Sequence, residues 1–115
     1  MNIVVSEEAD YVIARIEGCL EENAKNAFDE TLHPLIVDRR RVLLDLGGVE
    51  RVSSAGLGHL VTLVSRANTK NTHVVLARPT TFVNSILNVT KLTRFFDIEE
   101  TLEKGAEKLR KLDAS

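Results

Sequence analysis

Of 115 residues, one is cysteine, two are proline, one is tyrosine, four are phenylalanine and none is tryptophan. Each scarcity excludes something. Cys19 alone cannot close an internal disulfide, so the fold must rest on its core, and a reducing cytoplasm is the expected location. Few aromatic rings leave little for nucleobases to stack on. Fifteen basic against seventeen acidic residues leave a net charge of -2, too little positive field to hold a phosphate backbone, so no direct nucleic-acid partner is expected. No apolar run approaches membrane-spanning length, and "MNIVVSEEAD" at the start has no basic stretch leading into a long apolar core, so neither a span nor a secretory signal is expected. His33, His59 and His73 lack the clustered or i, i+4 spacing of metal ligands, and no metal or cofactor is predicted.

What the chain does have is 43% hydrophobic and 28% charged residues, the make-up of one soluble globular domain over residues 1–115. Ile3 to Val5 and Tyr11 to Ile16 are β-rich runs across the polar "SEEAD", which predicts an antiparallel hairpin. After Gly18, Ala24, Ala27, Phe28, Leu32 and Leu35 follow helical spacing, with polar Glu21 to Asn23 at the helix start and Pro34 ending or bending it. "RRR", residues 39 to 41, reads as a solvated turn. "VLLDL", residues 42 to 46, is nearly continuous in apolar residues, as in a central strand covered on both faces, and Asp45 interrupts it. Leu57, Leu60, Val61, Val64 and Ala67 form one helical stripe, with His59, Thr62 and Arg66 on the opposite face.

"HVVLA", residues 73 to 77, is a further buried strand. Pro79 is expected to open a helix carrying Phe82, Val83, Ile86 and Leu87, "RFFDI" to form a short strand, and a last helix to start near Thr101, with Leu102, Ala106, Leu109 and Leu112 at helical spacing. The order β-β-α-β-α-β-α-(β)-α predicts an α/β fold: a small mixed sheet with helices packed against it. An apolar helix stripe serves packing and pairing equally well, so these residues set no oligomeric state.

In such folds function gathers where strands end and helices begin, and "RVSSAGLGHLV", residues 51 to 61, lies at such a junction. Ser53 or Ser54 caps the helix, for about 1 kcal/mol. The cap accounts for one hydroxyl only. Gly56 and Gly58 cost roughly 1 kcal/mol each against alanine inside a helix, so something else keeps this surface small. A glycine-lined helix start presents backbone amides and the positive end of the helix dipole to an anion, and a phosphate on serine would supply one.

Enzymatic readings find no support. A serine hydrolase elbow, G-x-S-x-G, is absent: around Ser54 the order is V-S-S-A-G, and no histidine and acid pair accompanies it. A phosphate-binding loop needs a lysine after its glycines, and none follows, which leaves at most weak nucleotide contact. No enzyme activity is expected.

"DLGGVERVSSAGLGHLV" resembles the core of the STAS domain, named for sulphate transporters and anti-sigma factor antagonists. The resemblance continues in "EGCLEENAKNAF", for the family's G-x-L-D and first helix, and in "LNVTKLTRFFDIEETLEKGAEKL" for its closing segment. It implies a STAS protein acting as an anti-sigma factor antagonist: unphosphorylated, it binds an anti-sigma serine kinase that otherwise sequesters a sigma factor, and phosphorylation by that kinase dissolves the pair. Carried over by position, Gly56, Leu57 and Gly58 match the family's G-L-G and put the phosphoacceptor at Ser54, with Ala55 at the variable small position. Glu21 stands at the family's acidic residue near that loop. Ser53 replaces an aspartate that commonly precedes the acceptor, removing one negative charge and making Ser53 a second candidate acceptor. Glu21, Ser53, Ala55, Gly56, Leu57 and Gly58 are thereby expected to form the partner-binding surface. The rival reading is a non-phosphorylated STAS scaffold or accessory subunit of a signalling or transporter assembly, in which Ser54 only caps the helix.

Overall fold

The computed structural model describes residues 1–113. Strands β1 (Asn2–Glu7), β2 (Val12–Leu20), β3 (Val42–Val52), β4 (Val74–Ala77) and β5 (Asp97–Glu99) form one sheet whose spatial order is the chain order. β1 runs antiparallel to β2, and every later pair is parallel. The helices are α1 (residues 22–37, in four short pieces), α2 (Ser54–Thr69), α3 (Thr81–Val89) and α4 (Leu102–Asp113). Because each parallel crossover steps in the same direction, crossovers of the usual right hand must put α1, α2 and α3 on one face. The core agrees: Phe28, Leu32 and Ile36 of α1, Leu60, Leu63 and Ala67 of α2, and Val83 and Leu87 of α3 all pack in one cluster with Ala14, Ile16, Leu44 and Leu46 of the sheet. The reverse face has α4 alone, whose Ala106 and Leu109 cover Leu43, Val75 and Ala77. This is the small mixed sheet with packed helices that the alternation of elements predicts.

Several expectations need correction. Pro34 does not end α1. The helix continues to Val37, and the turn from Phe28 to Leu32 widens to π geometry just before the proline, which absorbs the missing amide and the bulk of its ring. Pro79 does not open α3; it precedes Thr80, whose hydroxyl caps the helix by accepting from the Val83 amide at 3.2 Å. The strand expected over residues 42 to 46 runs on to Val52, and two register shifts against β2 accommodate its second half. The arginines at 39 to 41 are more than a solvated turn. Arg40 holds Glu7 through both guanidinium nitrogens, at 3.0 and 2.6 Å, and Arg41 donates to the carbonyls of Asp10 and Leu109, tying the hairpin loop to α4.

Asp45 does not break β3. Its side chain is buried with 4% exposure and accepts from Arg78 Nε at 2.9 Å and Nη2 at 3.0 Å, from the Gly47 amide at 3.0 Å, and more loosely from Arg15 at 3.5 Å. Burial alone would push the Asp45 carboxyl up; the Arg78 fork, the Gly47 amide and the charge of Arg15 outweigh it and hold it below the usual aspartate range.

Candidate functional site

The end of β2, the end of β3 and the start of α2 meet at one rim of the sheet. Val52 pairs with Leu20 in the last rung of the parallel ladder, and the Ser53 amide donates to the Leu20 carbonyl at 3.0 Å. The chain then turns into α2, with Ser53 extended (φ -89°, ψ 170°) as the residue before the helix. Its hydroxyl accepts from the Gly56 amide at 3.0 Å, and its carbonyl accepts from the Leu57 amide at 2.8 Å. Of the two candidate caps, Ser53 is therefore the one used.

Ser54 is the first helical residue, and it is exposed, as are Ala55 and Gly58; Leu57 is half-buried. The two serines thus differ in kind: one hydroxyl is engaged in structure and the other faces solvent. The amides of Ser54 and Ala55 sit at the open helix start, where neither capping bond takes them and where the dipole favours an anion.

Gly56 is what lets α2 settle this close to β2. A Cβ there would overlap the Leu20 carbonyl oxygen outright and stand 3.1 Å from the Glu21 amide nitrogen. The missing side chain brings the backbone of Glu21 against the first turn of α2, so Glu21, half-buried, flanks the helix start. The segment is held there from below as well: the Ala24 amide donates to the Glu21 carbonyl at 3.0 Å, closing the first turn of α1. Gly58 is different, since a Cβ there would meet nothing within 4 Å.

The rim also holds residues the sequence did not bring together. His59 is not simply on a solvent face: its Nε2 donates to the Glu22 carbonyl at 3.2 Å and its ring packs on Phe28, centroids 5.9 Å apart. It thereby joins the turn after Glu21 to α2. Farther along the same seam, Arg66 donates to His33 Nδ1 at 3.3 Å. Burial pushes the His33 imidazole below its ordinary value, Arg66 adds to that, and Asp29 opposes it. Cys19 lies half-buried beside Arg51, whose Nε is 3.4 Å from the sulfur. The only sequence signal for His59 was its place five residues after Ser54. Among the described residues, no group of three or more His, Cys, Asp or Glu side chains is arranged to hold a metal ion, and no helix is long and apolar enough to cross a membrane.

The STAS domain family model matches residues 2–105. The chain belongs to the STAS domain family. Solved structures share the fold across nearly the whole chain. An anti-sigma factor antagonist from Mycobacterium paratuberculosis is 17% identical, with 95% of this chain and 93% of that one aligned at a TM-score of 0.84. A serine-to-glutamate variant of Moorella thermoacetica RsbS is 21% identical over all of both chains, with a TM-score of 0.82. The phosphorylated form of the Bacillus cell fate determinant SpoIIAA is 13% identical over 93% and 98% of the two chains, at 0.71. At such identities the STAS fold is what is shared; the roles of individual residues in this STAS domain rest on its own geometry.

Proposed function

We propose that this STAS domain is an anti-sigma factor antagonist whose partner is an anti-sigma serine kinase, bound when Ser54 carries a free hydroxyl and released when Ser54 is phosphorylated. The observation that carries the reading is the division of labour between adjacent serines: Ser53 is spent as the helix cap, while Ser54 stands exposed at the same helix start. Docking would use Glu21, Ser53, Ala55, Leu57 and Gly58, with small Ala55 and Gly58 letting a partner backbone approach closely; Gly56, expected on this surface, is instead buried against the Leu20 carbonyl and serves it only by seating α2. That solved STAS relatives include an anti-sigma factor antagonist and a phosphorylated SpoIIAA supports the assignment. Ser53 is a poor acceptor because its oxygen is already engaged by the Gly56 amide.

The switch works by electrostatics. A phosphate adds about -1.5 to -2 charges and three acceptor oxygens. The helix dipole offers the new anion only about 0.3 to 1 kcal/mol, whereas a charge left buried and unpaired against a partner costs roughly 2 to 5 kcal/mol. Release therefore comes from blocking the partner, with the domain itself little changed. The action is confined to the cytoplasm, where a kinase and ATP are at hand, and the domain itself supplies no catalysis.

With ATP and an anti-sigma kinase encoded beside this chain, intact mass should rise by one phosphate. The rise should vanish in Ser54→Ala and persist in Ser53→Ala, while Ser54→Asp weakens kinase binding tens- to thousands-fold. Phosphate on Ser53 alone, or none on either serine, would overturn the switch and favour a scaffold STAS subunit.

A further inference from the structure

One edge of the sheet is unguarded. β1 is exposed at five of its six positions, including Val4 at 46% and Val5 at 39%. It pairs with β2 in unbroken register from Asn2 opposite Glu17 to Glu7 opposite Val12, so no bulge twists it aside. "NIVVSE" contains neither lysine nor proline, the residues that ordinarily spoil an edge for further pairing. Its one charge, on Glu7, is already matched by Arg40 of the same chain. The opposite edge is shorter, more charged and better covered: β5 has three residues, two of them acidic, and all three are half-buried.

We propose that β1 pairs with β1 of a second copy, antiparallel about a two-fold axis through Val4, so that two sheets become one continuous sheet. The occupant follows from self-complementarity. A two-fold axis perpendicular to the sheet keeps the faces of both copies aligned, so opposed residues must point to the same side, which restricts the axis to passing through a residue. An axis through Val4 sets Val4 against Val4, Ile3 against Val5 and Asn2 against Ser6, with Glu7, held by Arg40 of its own chain, just beyond the paired stretch: aliphatic meets aliphatic, and amide meets hydroxyl. An axis through Val5 sets the Glu7 carboxylate against Ile3 and Val4 against Ser6. An axis through Ile3 sets Asn2 against Val4 and leaves Ser6 and Glu7 unmatched. Only the first arrangement pairs like with like along the strand.

The interface is short, at the low end of specific contacts, so association is concentration-dependent. Because the paired strands run in opposite directions, the two α2 starts lie at opposite ends of the joined sheet, and both Ser54 positions stay open. The dimer is independent of phosphorylation.

The test is sedimentation equilibrium of the full chain over roughly 1 µM to 1 mM, with Val4→Lys and Val4→Glu. Directly opposed side chains lie about 5 Å apart, so each variant alone sets like charges together and should raise the dimer dissociation constant at least about tenfold, while an equimolar mixture recovers dimer. Thermal melts followed by circular dichroism check that both variants are folded. A wild type that is monomeric throughout, or dimers that persist in Val4→Lys, would overturn the edge pairing. Folded variants that stay monomeric when mixed would overturn the axis through Val4.

Discussion

Gly56 and Gly58 stand two residues apart in one helix, and the fold treats them in opposite ways. At Gly56 any side chain collides with the Leu20 carbonyl, a backbone group pinned in the ladder between β2 and β3. Gly56→Ala should therefore lower stability by about 3 kcal/mol or more. At Gly58 the space is empty, and alanine should raise stability by about 0.5 to 1 kcal/mol through helix propensity. Urea unfolding of both variants checks the contrast, and a destabilised Gly58→Ala would mean that the space above it is needed by the fold. Both glycines are visible in the sequence as anomalies in an amphipathic helix. Which one the fold requires is not, because the obstacle at Gly56 is a carbonyl from a strand more than thirty residues earlier. The cap shows the same limit: serine before a helix announces a cap, yet the choice between Ser53 and Ser54 depended on where β3 stops.

At the scale of elements, β3 and β4 are fastened by one clamp. Arg78 follows β4 in a left-handed conformation, φ 56°, and folds its guanidinium back over Gly47 onto Asp45. A Cβ on Gly47 would lie 2.6 Å from Arg78 Nη2, so the glycine makes room for the arginine. Arg78→Ala leaves a buried carboxylate with weaker partners and should cost about 3 kcal/mol by chemical unfolding. Arg78→Lys should recover only part of it, since an ammonium cannot reproduce the two parallel bonds. An aspartate within "VLLDL" signals something unusual, but its partner lies beyond a whole helix in the chain. Glycines and charges in "GGVERV" mimic a loop for the same kind of reason: bulges that let polar residues continue a strand leave no periodic trace. The strands and helices with unbroken apolar patterns, β4 and α4 above all, were legible within a residue or two. Asn71, in the turn before β4, is left-handed at φ 58°, a conformation that asparagine tolerates.

For the molecule as a whole, acid should act in two stages. His33 has its folded value lowered by burial and by Arg66, so it contributes stability fully present above its ordinary value near 6.5 and lost as pH falls through the lower folded value. Asp45, held low against its own burial by Arg78, contributes stability present above about 3.9 and lost only as pH falls through its depressed folded value. Stability measured by denaturant from pH 7 downward should thus decline in an upper and a lower window. His33→Gln should flatten the upper window alone. The order of the sheet also bears on how the chain is made. As the polypeptide leaves the ribosome, each strand finds its neighbour already built, and none must wait for a later segment to slip between two earlier ones. The growing rim is renewed at every step, but no later strand of this sheet is ever added on the outer side of β1, so nascent chains crowded on one message would meet there first.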